Sequence, residues 1–155
     1  MRKFKQLLTI VLSLSFFAAL SQAKGVDDVL SPFRGGDHRT SEKFVIKSEK
    51  VEYQLHEHMQ FDGSEVIDAS YLLIAVKPNG SAKLIWNDVS LIGISAEDGV
   101  SQKTKEKLYL AYAEQVMEPS FGGRANFEAK AHEIIKNKTA EPDLLWIFEH
   151  YLGIK

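Results

Sequence analysis

The sequence contains no cysteine. This excludes a disulfide framework, a thiolate metal site, a cysteine nucleophile and a cysteine-linked lipid. A chain of 155 residues is too short for two ordinary domains, and with 45% hydrophobic residues it is too apolar for a disordered tail. The formal net charge of −2 gives no sign of the clustered positive charge that nucleic acid selects. We therefore expect no nucleic-acid partner.

The amino-terminal segment has the pattern of an export signal. Three basic residues stand in the first five positions, an apolar run covers residues 7–20, and small residues follow at Ser21 and Ala23. This order is typical of a secretory signal peptide, and the run is shorter than the roughly 20 residues of a spanning helix. We predict a signal peptide over residues 1–23 and an exported protein, periplasmic or extracellular, without a stable membrane span. An uncleaved anchor is the alternative. Cleavage would leave 16 basic and 21 acidic residues, a net charge of −5.

The next segments predict a leader followed by strands. Residues 24–42 show no hydrophobic period and contain Pro32 and the Gly35-Gly36 pair, so we expect a flexible leader there. From Lys43 to Phe61, apolar and polar residues alternate, as in a long strand with one wet face. A break near Ser48-Glu49 would divide this strand into two.

Turn signals organise the following residues into further strands. Asp62-Gly63 and the PNGS segment at 78–81 are typical of hairpin turns. Between them, residues 70–77 are apolar on both faces, which indicates a central strand. Residues 82–87 and 89–95, rich in β-branched and aromatic side chains, are expected to follow as strands.

The second half of the chain favours helices. After a loop over residues 96–103, helical spacing begins at Thr104, and a last helix has Pro142 in its first turn and Gly153 as its cap. Residues 121–137 fit either a helix or a strand, and we favour the helix because Ala, Glu and Lys prefer it. The predicted fold class is α+β: an antiparallel meander of three to five strands followed by two or three packing helices, in one domain over residues 43–155.

Few residues are candidates for chemistry. His56 and His58 lie two apart on a predicted strand, which places both imidazoles on one face. A zinc site needs at least one further protein ligand, and none of the other histidines, His38, His132 and His150, stands at a diagnostic spacing. The alternative is that the pair consists of polar residues on a solvated strand face, and we favour it.

A serine nucleophile is also poorly supported. Ser95 follows Gly93 as in a nucleophile elbow, but Glu97 occupies the position where the tight turn needs glycine. We predict no catalytic, cofactor-binding or metal-binding residue, and therefore no enzyme.

The order of segments carries a family resemblance. Tyr53 lies on a long strand, and then come SYLLIAVK, AKLIWNDVSL, FGGRANFEAKAHEII and DLLWIFEHYLG. Over residues 44–155 this pattern resembles the amino-terminal sheet domain of large lipid-transfer proteins of the vitellogenin type. The resemblance implies a link to lipid transport and a largely extended segment over 121–135. The chain lacks cysteine and ends where the helical part of that family would begin, so we do not expect its lipid cavity.

These observations leave three functions open. The leading hypothesis is an exported, non-catalytic binding module that holds an apolar small molecule or a protein partner on its sheet, or through Leu145 and Trp146, which lie outside the apolar stripe of the last helix. The second is a small periplasmic inhibitor or immunity protein, because an acidic protein complements a basic cleft. The third is a metal-binding protein that uses His56 and His58.

Overall fold

The computed structural model describes residues 24–155, so the signal-peptide prediction lies outside the described residues. Within them, a four-stranded antiparallel meander in the order β1-β2-β3-β4 is followed by helices, which confirms the predicted α+β fold. The strands are β1 (His38–Ser48), β2 (Val51–Asp62), β3 (Glu65–Val76) and β4 (Ala82–Asp88). The helices are α1 (Val26–Leu30), α2 (Gln102–Tyr112), α3 (Glu118–Ser120), α4 (Arg124–Lys136) and α5 (Pro142–Leu152). Shorter 3-10 turns cover Ser31–Phe33 and Ala96–Asp98, and a π-helical turn at Ala113–Met117 joins α2 to α3.

The strands meet at tight turns whose residues tolerate a left-handed backbone. Glu49 and Lys50 join β1 to β2 with φ of 53° and 70°, so the predicted break in the long strand is a two-residue hairpin turn. The predicted turns at Gly63 and Gly80 are confirmed, with φ of 60° and 86°. β3 begins at Glu65, earlier than the predicted strand at residues 70–77.

The helix predicted for residues 121–137 is confirmed by α4, and the extended segment that the family resemblance implies is absent from this range. Pro142 opens α5, and Gly153 caps it with φ of 72°, as expected. The predicted strand over residues 89–95 is wrong. Leu91 and Ile94 are both fully buried in this irregular segment, and their three-residue spacing cannot place them on one face of a strand.

The segment over residues 24–42, which the sequence predicts as a flexible leader, contains regular secondary structure. α1 and the first residues of β1 lie in this range. Leu30 is fully buried in a cluster with Leu72, Ile74 and Ala82, on the face of the sheet opposite the larger helices. Because β3 is apolar on both faces, its side chains on this face would be exposed to water without a packing element, and α1 packs over them.

The larger core lies on the other face of the sheet, under α2, α4 and α5. It contains Tyr53, Leu55 and Leu73 from the strands, together with Leu108, Tyr109, Phe127, Ile147 and Phe148 from the helices. Within residues 24–155, helices therefore cover both faces of the inner part of the sheet, where β3 is buried. At the outer end of the sheet, residues 62–69 are exposed.

Leu30→Ala is expected to lower the free energy of unfolding by about 2–3 kcal/mol, because it removes a fully buried side chain and leaves a cavity. Urea unfolding measures this loss, and hydrogen exchange should show faster exchange in α1. Asp27→Ala is the matched control, since Asp27 is exposed and its change should stay within about 0.5 kcal/mol. Equal stability of the two variants would show that α1 contributes nothing to the fold.

Candidate functional site

The candidate site is the outer end of the sheet, where β2 and β3 form an exposed hairpin. We call residues 59–69 the hairpin arm. Every residue from 62 to 69 is exposed, whereas residues 72–74 of the same strand β3 are fully buried. Val66 and Ile67 are 46% and 55% exposed, so two large apolar side chains stand next to each other in solvent.

Strand register gives the hairpin arm one apolar face. Phe61 lies opposite Val66, and Met59 lies opposite Ala69. Residues directly opposite each other share a face of the sheet, so these four side chains lie on the same side. A bulge between the pairs at Gln60 and Phe61 leaves Ile67 as the extra residue.

The other face of the hairpin arm is polar. Gln60 lies opposite Asp68 in β3 and opposite His38 in β1, while His58 lies opposite Ser70 and Thr40. The arm is therefore amphipathic, and its apolar side chains belong to neither hydrophobic core that the structure describes within residues 24–155. A strand that serves only the core buries its apolar side chains, whereas Val66 and Ala69 of the arm are exposed.

The polar face of the arm is acidic. Four exposed carboxylates lie on the arm and on the turn beside it, and none of them forms an ion pair with lysine or arginine within residues 24–155: Asp37, Asp62, Glu65 and Asp68. Asp68 lies opposite Gln60, and Glu65 lies opposite Asp62, so the three acids of the arm share the polar face. The guanidinium of Arg39 lies over the Phe61 ring on the apolar face, 4.9 Å from its centroid.

On the polar face, two histidines that are 20 residues apart in sequence meet. Nδ1 of His38 lies 2.8 Å from Nε2 of His58. The Phe33 ring packs edge-on against His58, with 5.3 Å between ring centroids. On their outer sides, His58 Nδ1 is 3.5 Å from Ser70 Oγ, and His38 Nε2 is 3.6 Å from an Asp37 carboxylate oxygen.

The predicted His56/His58 metal pair does not converge. His56 is only 5% exposed, and its Nε2 lies 2.9 Å from Gln54 Oε1, away from the His38–His58 contact. The expectation of a solvated face is wrong for His56, because the side of the sheet that α1 packs on is covered. Burial lowers the pKa of His56, with Glu42 opposing and Arg34 adding to the change. Across residues 24–155, no three His, Asp or Glu side chains are placed to hold a metal ion.

A groove of about 560 Å³ lies between α1 and β4. Val29, Phe33 and Leu84 are among its apolar lining residues, and its charged lining residues are Lys24, Lys83 and Asp28. This is the place in the described chain that best fits the apolar ligand of the sequence-based hypothesis. Because Phe33 also contacts His58, the groove and the histidine pair are neighbours.

The other predicted candidates have local roles. Trp146 is half-buried and stacks on His150 with 4.2 Å between ring centroids, whereas Leu145 beside it is 43% exposed. Ser95 Oγ accepts a hydrogen bond from the Glu97 backbone N–H at 3.3 Å, so it caps a 3-10 turn.

No protein-family model, curated protein or solved structure matches this chain. The resemblance to vitellogenin-type proteins therefore stays a prediction. None of the helices in residues 24–155 has the length and hydrophobicity that a transmembrane span requires.

Proposed function

We propose that the protein is an exported, non-catalytic binding module that docks a protein partner through the hairpin arm. The observation that carries the proposal is the apolar face of the arm, on which exposed Val66 lies next to the exposed bulge residue Ile67, and whose side chains belong to neither hydrophobic core of residues 24–155. Exposed neighbouring apolar side chains with a polar rim are typical of protein interaction sites. In the inner part of the sheet, by contrast, helices pack over the apolar side chains that form the core.

The charge of the arm supports a partner of basic chemistry. Asp62, Glu65 and Asp68 lie on the polar face and form no ion pair with lysine or arginine within residues 24–155, whereas Arg39 is held over Phe61 on the apolar face. A complementary surface has an apolar pocket for one face of the arm and basic groups that reach its other face. Opposite charges would steer the two proteins together and reject like-charged partners. This chemistry agrees with the inhibitor or immunity class more closely than with a general apolar-ligand carrier.

The groove beside α1 supports a second candidate function. Its volume of about 560 Å³ and its two lining lysines suit an acyl chain with an anionic head group. Native mass spectrometry of the protein purified from its source cells separates the two functions. A bound acyl molecule that survives transfer to the gas phase favours this candidate.

A photo-crosslinking residue at position 67 tests the proposed docking. In an extract of the source cells, we expect one crosslinked partner, and no comparable product from the same residue at position 145. The partner is then purified, and its affinity should fall as ionic strength rises through about 0.1 M, where the Debye length is about 10 Å.

Three outcomes would overturn the proposal. A crosslink to a second copy of the chain would show that the arm is a self-association surface. Equal crosslinking at positions 67 and 145 would show no preference for the arm. A partner affinity that does not change with salt would remove the argument from charge.

A further inference from the structure

The His38–His58 contact has the geometry of a shared proton. Their ring planes differ by only 5°, and the ring centroids are 5.1 Å apart although the nearest nitrogens are 2.8 Å apart. These values place both nitrogens close to the line that joins the ring centres. The N–H of one ring then points at the lone pair of the other, and the two nitrogens do not converge on a common third point. One imidazole donates a hydrogen bond to the other, and the geometry does not suit chelation of a metal ion.

This contact lies where the turn before β1 meets the hairpin arm. Residues 34–37 lead from the 3-10 turn that carries Phe33 to the start of β1, and Gly35 and Gly36 have φ of 96° and 60°. A hydrogen bond from Phe61 N–H to Asp37 O, 2.9 Å long, ties the turn to the hairpin arm, and Gln60 Nε2 lies 3.5 Å from Asp37 Oδ2. The histidine pair is therefore one of several links between this turn and β2, and it is the one that protons can change.

Charged groups lie near the pair on the neighbouring elements. Asp37 lies beside His38, and Asp68 acts on His58 from β3. Glu42 and Arg34 act on the buried His56, which stands two residues before His58 on β2. Burial lowers the pKa of His58, the neighbouring His38 lowers it further, and Asp68 acts in the opposite direction. In the neutral pair, one nitrogen donates and the other accepts the hydrogen bond between the rings.

We propose that the His38–His58 pair is a proton-operated clasp, which opens residues 34–38 away from the hairpin arm when both imidazoles are protonated. The first proton taken up is shared between the rings in a charged N–H···N hydrogen bond. The second proton leaves an N–H on each of the two facing nitrogens, which removes the hydrogen bond and places two positive charges side by side. It also adds positive charge to an arm whose other charges are mainly acidic. If the arm docks a basic partner as proposed above, opening of the clasp weakens that docking at acidic pH.

The direction of the pH dependence follows from linkage. Because the pKa of His58 is lower in the folded protein than in the unfolded chain, the folded state binds fewer protons over this range. The closed clasp is fully stable above the ordinary histidine value of about 6.5. Its stability falls as the pH drops through that value toward the lower folded one. Buried His56 contributes in the same direction.

NMR of the imidazole nitrogens in the protein purified from its source cells tests the clasp. At neutral pH, we expect opposite donor and acceptor roles for His38 Nδ1 and His58 Nε2. On acidification, the His58 midpoint should lie below the ordinary histidine value. Amide protection over residues 34–38 should then fall, by up to about tenfold per pH unit for each proton taken up.

Variants make the test specific. His38→Gln should flatten the pH dependence of amide protection over residues 34–38 and return the His58 midpoint toward its ordinary value. His132→Gln, at an exposed position on α4, is the matched control and should change neither. If His38→Gln does not fold, Asp68→Asn serves instead, because loss of its charge should shift opening to lower pH.

Three results would overturn the clasp. They are independent titration of both histidines at their ordinary values, unchanged amide protection across the titration, and stoichiometric binding of added Zn²⁺ at His38 and His58. No partner takes part in these measurements. Failure of the clasp therefore leaves docking by the arm intact, and failure of the position-67 crosslink leaves the titrations interpretable.

Discussion

Ile67→Asp is expected to weaken partner binding by about 30-fold or more, with no loss of fold. Ile67 is 55% exposed and is the extra residue of the bulge, so a carboxylate there disturbs no buried contact. A central apolar residue of an interface contributes about 2 kcal/mol or more when removed, which corresponds to about 30-fold in Kd. Calorimetry or surface plasmon resonance with the crosslinked partner measures the change.

Leu145→Asp is the matched control for this experiment. Leu145 is 43% exposed, similar to Ile67, and it lies on α5 beside Trp146, the other surface that the sequence suggested for docking. We expect its affinity to stay within about twofold of the unmodified protein, since a surface change away from an interface is nearly neutral. A large loss with Leu145→Asp and none with Ile67→Asp would place the partner on α5 and reject the arm.

Phe127→Ala is expected to cost about 3–5 kcal/mol of the free energy of unfolding. Phe127 is 1% exposed and lies between Phe121, 5.2 Å away by ring centroids, and Phe148, 6.2 Å away. Truncation of such a residue loses its burial and leaves a cavity. Since domains of this kind have about 5–15 kcal/mol of total stability, the variant should show a large fall in the urea midpoint.

Phe61→Ala provides the comparison on the hairpin arm. Phe61 is only half-buried and its described aromatic contact is with the Arg39 guanidinium, so we expect a loss of about 1 kcal/mol. The same substitution should nevertheless weaken partner binding. A Phe61→Ala loss as large as that of Phe127→Ala would mean that the arm is part of the core and is not reserved for docking.

The sheet was predictable from local chemistry. Asp62-Gly63 and the PNGS segment carry the turn residues that hairpins require, and the structure turns at both places. Helix α4 was predictable because the helix propensity of its Ala, Glu and Lys residues outweighed the strand-like alternation of apolar and polar residues in the same segment. In contrast, residues 89–95 have the composition of a strand but form an irregular segment. This segment packs against α2, where Gly93 N–H donates a hydrogen bond to the Tyr109 hydroxyl at 3.0 Å.

Two parts of the candidate site could not be predicted. The five residues of α1 are too few for a reliable period, although Val26, Val29 and Leu30 have helical spacing. His38 lies next to His58 because of the register between β1 and β2, which depends on the hairpin turn at Glu49 and on a bulge after Glu42. The sequence around these two positions carries no local pattern from which this register could be predicted. The amphipathic character of the hairpin arm depends in the same way on its bulge.

The bulge at Ile67 also determines where the hairpin arm can lose a residue without a change in the faces of its other side chains. The pairs Gln60–Asp68 and Phe61–Val66 are regular on either side of Ile67, so a chain without this one residue would form an uninterrupted ladder. Val66 would still face the same side as Phe61. A deletion elsewhere in β3 would turn every later side chain to the opposite face. Position 67 is thus the place in this strand where evolution can add or remove a contact residue without rebuilding the hairpin.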